Sequence, residues 1–304
     1  MAAASQRDPG PKHIDFYGNV YEVPEFSKKQ IYAAIPAHCF RPSTIRGLAY
    51  VVRDLALLSS LAWITYTFTS VLPSITLRTI AYTLYTVIAG MIMTGIWIIA
   101  HECGHDAFSP WRRINNLVGF VLHSLLLVPY YSWKITHSHH HKATGDLQRD
   151  TVYVPHSREY LTEDAPVVTL WHDLLLQIFG WPLYMLDNLR GQKGASGFPQ
   201  ESHYWFGADS ALYKESELFS VFLSDLGVAT TCVGFDFAAR VFSLWTVLVF
   251  YGIPYLWLNQ WVAKTEHSII TMKDSCYASV RKKPYLILSF TGSCGVETEV
   301  DEIR

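Results

Sequence analysis

Two clusters of histidine carry the chemistry that this sequence can do. The first reads His101-Glu102-Cys103-Gly104-His105 and the second His137-Ser138-His139-His140-His141. On a helix, positions i and i+4 lie one above the other on one face. His101 and His105 therefore present two imidazoles side by side. His137, His140 and His141 form an i, i+3, i+4 set on a single face, while His139 points elsewhere. Imidazole suits iron, zinc, copper and nickel. Five imidazoles exceed what one tetrahedral zinc requires. Each cluster also lies beside an apolar segment, so the pair predicts two metal ions in a shared site rather than scattered loop histidines. Asp106 and Asp150 are nearby carboxylates placed to orient imidazoles through their second ring nitrogen, as such groups often do. His38, His123, His156, His172 and His203 have no motif support and read as structural or exposed.

The first cluster also fits H-E-x-x-H, the zinc metalloprotease pattern, in which Glu102 would be the general base. Zinc would then need one further protein ligand and an open position for water. That reading leaves residues 137–141 without a role. The two-metal reading uses both clusters and is preferred. Iron with oxygen reactivity, against zinc with peptide cleavage, separates the two.

The elements that must position these clusters are apolar. Half of the 304 residues are hydrophobic, 16% are charged and 14% are aromatic. A soluble domain carries about a quarter charged residues, so lipid is part of the solvent. A spanning helix needs about twenty mostly apolar residues. Four stretches qualify: 55–72 (stopped by Pro73), 80–100, a short one at 218–233, and 241–261 after a turn near Asp236. The first two form a helical hairpin. The stretches 117–131 and 174–186 are too short or interrupted for spans and read as re-entrant or interfacial helices. The predicted fold is thus an all-α, multi-pass membrane protein with about four transmembrane helices, interfacial helices and a cytosolic histidine-cluster region.

Basic residues set the orientation. Arg41, Arg46 and Arg53 precede or open the first span, and most of the others lie between the second and third. The positive-inside bias places the N-terminus, the central region with both clusters, and the C-terminus in the cytosol. The first thirty residues are polar and lack the apolar core of a cleavable signal. The five cysteines are odd in number and form no CxxC pair, which favours free thiols over a disulfide framework. With 24 basic against 26 acidic residues, the chain has no basic footprint for nucleic acid.

Around the clusters the residues read HECGHDAF from His101 to Phe108 and WKITHSHHHKATG from Trp133 to Gly145. Arg149-Asp150 and Val154-Pro155 follow, and Ile35-Pro36-Ala37-His38-Cys39-Phe40 stands near the N-terminus. In these features the chain resembles the membrane fatty acid desaturases, most closely the microsomal, fungal-type oleate Δ12 (omega-6) branch, over about residues 21–262. Omega-3 desaturases and related hydroxylases share the same boxes. The resemblance implies O2-dependent removal of two hydrogens from a lipid-linked oleoyl chain to give linoleoyl, with two non-haem iron ions (Fe2+). Its implied partners are the acyl lipid, carried on a phospholipid, O2, and cytochrome b5 with its reductase as electron donors, at the endoplasmic reticulum membrane. It carries over His101, His105, His137, His140 and His141 as metal ligands and gives Glu102 no ligand role.

The sequence departs from that family after Val262. The family's third box, H-x-x-H-H, is absent from these residues, and His267 is the last histidine. Asn259 stands where the family places an asparagine near the end of the fourth span. The reading divides the chain into a cytosolic segment 1–45, an incomplete desaturase domain 46–262 and a divergent tail 263–304. Five imidazoles leave two irons under-coordinated, so iron is expected to bind weakly and turnover by these 304 residues to be low or absent. A non-catalytic, desaturase-like membrane protein is the remaining alternative.

Overall fold

A Ser27 cap opens the first helix, α1 (Lys28–Ala34): its Oγ accepts the amide of Gln30, and the Gln30 side chain accepts the amide of Ser27. This reciprocal capping box satisfies two amides that a helix start leaves over. The computed structural model describes residues 13–14, 20–21, 27–144, 149–150, 152, 166–189, 191 and 198–262. Ahead of α1, β1 (His13–Ile14) pairs antiparallel with β2 (Val20–Tyr21). These residues, up to Arg41, make one compact unit, and those from Pro42 make another. The tail from residue 263, with His267, lies outside the described residues, as does His156 and the side chain of His172.

Among its described residues, the regular elements of the second unit are all helices. Ser43 and Ser74 cap its two longest helices, α2 (Thr44–Val71) and α3 (Ile75–Gly104), accepting the amides of Arg46 and Leu77. Pro73 stands in the short link between them, where its missing N–H and fixed φ prevent continuation. At 1.5 Å per residue each helix runs to about 42–45 Å, beyond the ~30 Å of a bilayer core. The helices therefore extend past the apolar stretches read from the sequence. α3 is the central one: half of its most apolar window is buried in the protein, against 6% for α2.

After α3 come α4 (Arg112–Leu125) and α5 (Tyr130–Ala143), which meet at 108°. Leu127 at φ 56° and Pro129 make the bend. The amides of Leu126 and Val128 close back onto the His123 carbonyl, so the turn keeps its hydrogen bonds. The stretch predicted at 117–131 is this bent pair, a broken span or re-entrant loop. The other interrupted stretch lies in α6 (Pro166–Asp187), a helix with Pro182 inside it.

α7 (Leu218–Phe242) runs through Asp236 instead of turning there. Arg240 pairs with Asp236 one turn earlier, Nε to Oδ2 at 2.8 Å, which supports the helix at that point. The turn falls at Ser243, at φ 106°, whose Oγ caps the next helix by accepting the amide of Thr246. α8 (Leu244–Val247) leads into a π-helical turn, Leu248–Gly252, and a helical run over 253–262. The fourth predicted span thus starts three residues later and is interrupted. Among the described residues, α2, α3 and α7 are long and apolar enough to cross a membrane, and the bent α4–α5 pair brings the number to four if it counts as one span. The fold is all-α and that of a membrane protein.

Candidate metal centre

The first cluster stands at the C-terminal end of α3. His101 is in its last turn and His105 is its C-cap, with the His105 amide donating to the His101 carbonyl. Asp106 follows at φ 55°, turning the chain away. The second cluster occupies the second half of α5. Three contacts bring the two elements together. The Tyr130 hydroxyl donates to the Cys103 carbonyl at 3.2 Å. Lys134 Nζ donates to Asp106 Oδ1 at 3.1 Å. The Trp133 ring lies where Gly104 has no side chain, and a Cβ there would come within 2.6 Å of the indole.

The packing converges four imidazoles. Nε2 of His101 lies 2.9 Å from Nε2 of His137 and 3.3 Å from that of His105. His105 Nε2 is 3.2 Å from His137 Nε2, and His141 Nε2 is 3.0 Å from it. All four donor atoms lie within 4.8 Å of one another. Burial, with neighbouring His101, His141 and Lys134, holds the His105 imidazole down to about 3. Neutral rings keep the lone pairs that a cation needs.

The surroundings orient those rings. Glu102 Oε1 sits 3.2 Å from His101 Nδ1, so Nδ1–H donates to the carboxylate and the Nε2 lone pair faces the cluster. Trp97 stacks on His101, centroids 5.3 Å apart, and Trp133 on His137 at 4.5 Å. His123 is fully buried against Trp97, Tyr130 and Trp133. Thr136, next to His137, meets His203 Nε2 at 3.1 Å, and His203 is itself fully buried against Tyr184.

Four of the five predicted ligands therefore come together, and His140 does not join them. Its Nδ1 lies 2.8 Å from Asp150 Oδ1, a buried carboxylate that also accepts the amide of Val152. Asp150 thus orients an imidazole as expected, whereas Asp106 is taken by Lys134 and, at 3.8 Å, Arg112. His139 stays apart from the four. His123 and His203 are buried, with His203 reaching α5. Asn259 is fully buried, its amide donating to the Ile178 carbonyl at 3.5 Å. The two stacking tryptophans are not metal donors and match no ligand motif. Their signal was present: each stands four residues before the first histidine of a cluster, one turn away on the same face.

The donor set fits one transition-metal ion. Four nitrogens within 4.8 Å of one another can share a single ion, and a tetrahedral ion with bonds of about 2.1 Å places its ligands about 3.4 Å apart. The two-iron group fits less well: among the described residues only His140 stands ready for a second ion.

Apolar helices that carry a half-buried histidine cluster able to hold a metal at one end define a membrane protein with a candidate metal centre. The sequence model of the fatty acid desaturase family matches residues 78–281, and the chain belongs to that family. It is 37% identical to an oleate hydroxylase of Claviceps purpurea over 86% of this chain and 61% of that protein. It is 39% identical to a Delta(12) fatty acid desaturase of Mortierella isabellina over 80% of this chain and 64% of the relative. With an endoplasmic reticulum omega-6 fatty acid desaturase of Brassica juncea it shares 34% identity over 78% and 62%. The chain spans a little over three fifths of the length of these relatives.

Proposed function

We propose that the chain serves O2-dependent desaturation of a lipid-linked oleoyl chain at the Δ12 position, giving linoleoyl, in the endoplasmic reticulum membrane. The observation that carries this reading is the meeting of both histidine clusters at the end of the apolar helix α3, where a lipid acyl chain and a metal can approach each other. The named activities of the Mortierella and Brassica relatives support the same chemistry. Bound iron with O2 supplies the oxidant for an unactivated C–H bond, which no side chain can provide. Electrons come from cytochrome b5 and its reductase, at a cytosolic face that holds the clusters and both termini.

The chain's own residues hold and shield the site. His101, His105, His137 and His141 provide the donors, and Glu102 fixes the ring of His101. Trp97, Trp133 and Trp181 pack into a buried aromatic wall behind them and exclude water. A second iron would draw on His140, positioned by Asp150, and on donors beyond the described residues. The zinc-protease reading is disfavoured by two features. Glu102 faces an imidazole, and a fourth histidine takes the position that catalytic zinc leaves to water.

The test is expression in yeast that makes oleate but no diene, with fatty acid analysis by mass spectrometry. Residues 1–262 joined to the C-terminal part of a Δ12 desaturase, third histidine box included, are expected to produce linoleate, and the 304 residues as they stand little or none. A hydroxylated product would replace this reading with oleate hydroxylation, and no product from the joined chain would overturn it.

A further inference from the structure

Between Asp54 and Glu102 the α2–α3 hairpin carries a single Lys, Arg, Asp or Glu, which is Arg78. We propose that Arg78 and the aromatic cleft around it form a headgroup site for a membrane phospholipid, with the guanidinium taking the lipid phosphate. The site is independent of the metal centre and of turnover.

Its position is the first observation. Arg78 lies near the start of α3 and His101 in its last turn. At 1.5 Å per residue that is about 35 Å along the helix, more than the ~30 Å of a bilayer core. The two residues therefore stand at opposite faces of the membrane. A headgroup held at Arg78 belongs to the leaflet across from the metal centre, and so to a different lipid from one reacting there.

The state of the guanidinium is the second. Arg78 Nε donates to the carbonyl of Leu72, the residue that closes α2, at 2.9 Å. This bond ties the side chain to the hairpin and leaves the N–H groups of both terminal nitrogens for an acceptor. Among the described residues Arg78 is in no ion pair, whereas Arg240, near the end of α7, is closed by Asp236 at 2.8 Å. A guanidinium matches phosphate through two parallel N–H···O bonds.

The third is the cleft itself, about 440 Å³, which Arg78 lines together with Trp63, Tyr66, Thr69 and Tyr82. Thr69 Oγ1 lies 2.6 Å from the Thr65 carbonyl and 3.0 Å from the Tyr82 hydroxyl, joining α2 to α3 at its wall. Trp63 and Tyr66 are 71% and 55% exposed, and such amphipathic rings settle at the level of lipid headgroups. Ile64 and Phe68, exposed on the same stretch of α2, offer apolar surface to acyl chains. A cation without a counter-charge, beside aromatic rings and apolar surface, suits a phosphate that carries acyl chains better than a soluble anion.

The test uses the full 304-residue chain in a neutral detergent, incubated with dipalmitoyl phosphatidylcholine, with retained lipid counted by native mass spectrometry. The wild type is expected to retain one phospholipid more than Arg78→Ala, and Arg240→Ala to keep the wild-type number. Dipalmitoylglycerol, which has the same chains and no phosphate, is expected to show no difference between wild type and Arg78→Ala. Equal phospholipid retention by those two chains overturns the site, and so does the same difference with dipalmitoylglycerol. If inorganic phosphate alone raises the wild-type melting temperature as much as the phospholipid does, the ligand is a soluble anion and the lipid assignment falls. If Arg78→Ala is not monodisperse, the wild type decides: retention of phospholipid at least fivefold above dipalmitoylglycerol at equal concentration supports the site, and a smaller ratio overturns it.

Discussion

Trp133 lies flat on His137, with ring centroids 4.5 Å apart and planes 22° apart, and its far edge fills the space beside Gly104. One side chain thus sets both the attitude of an imidazole and the spacing between α3 and α5. Gly104→Ala would place a methyl group within 2.6 Å of that indole. Because Trp133 is 1% exposed, the ring has no room to retreat. Overpacking of this kind costs about 1–3 kcal/mol. The expected outcome is a lower melting temperature in detergent together with weaker Co2+ binding. Trp133→Phe, which opens space, should restore part of both in the double variant. Independent, additive effects of the two changes would show that the contact does not set the spacing.

Glu102 acts through His101, so its removal should weaken the metal without abolishing it. Loss of a carboxylate that orients a ligating histidine lowers metal affinity by about 10–100-fold. Glu102→Gln keeps an acceptor oxygen at the same reach and is expected near the lower end, Glu102→Ala near the upper. Competition with a chelator of known affinity measures both. Equal affinity for wild type and Glu102→Ala would remove Glu102 from the site.

His203 should make the metal-free chain acid-sensitive. Complete burial holds its imidazole down to about 3, against an ordinary value of 6.5. Above pH 6.5 the ring is neutral in both folded and unfolded chains, and its contribution is fully present. As pH falls from 6.5 towards 3, only the unfolded chain takes up the proton, and stability drops by at most about 1.4 kcal/mol per pH unit. His203→Gln keeps a polar group opposite Thr136 and cannot titrate. Its melting temperature between pH 6.5 and 5 is expected to fall less steeply than that of the wild type. Parallel curves would mean that His203 is not held neutral in the fold.

Much of this was determined by sequence alone, because helix geometry is local. The i, i+4 spacing of His101 and His105 places them on one face whatever surrounds the helix. The apolar stretches required helices long enough to span a bilayer, and the HECGHDAF and WKITHSHHHKATG segments carried the family. The Ser43 and Ser74 caps and the break at Pro73 were equally local.

What the tertiary structure decided is which side chains meet across elements. His101 and His137 are 36 residues apart, and their contact depends on α5 folding back at the Leu127–Pro129 bend and bedding Trp133 on Gly104. The spacing of His137, His140 and His141 made them equal candidates. Only packing separates them, because Asp150 approaches from outside the helix and takes His140 while His137 and His141 turn inward to His101 and His105. Asp106 and Asp150 looked alike in sequence, and they differ because Lys134, one turn before the second cluster, reaches Asp106, whereas Asp150 lies against the His140 ring. A pattern along one helix specifies a face, whereas a metal site requires several faces to converge on one point, and that depends on long-range packing.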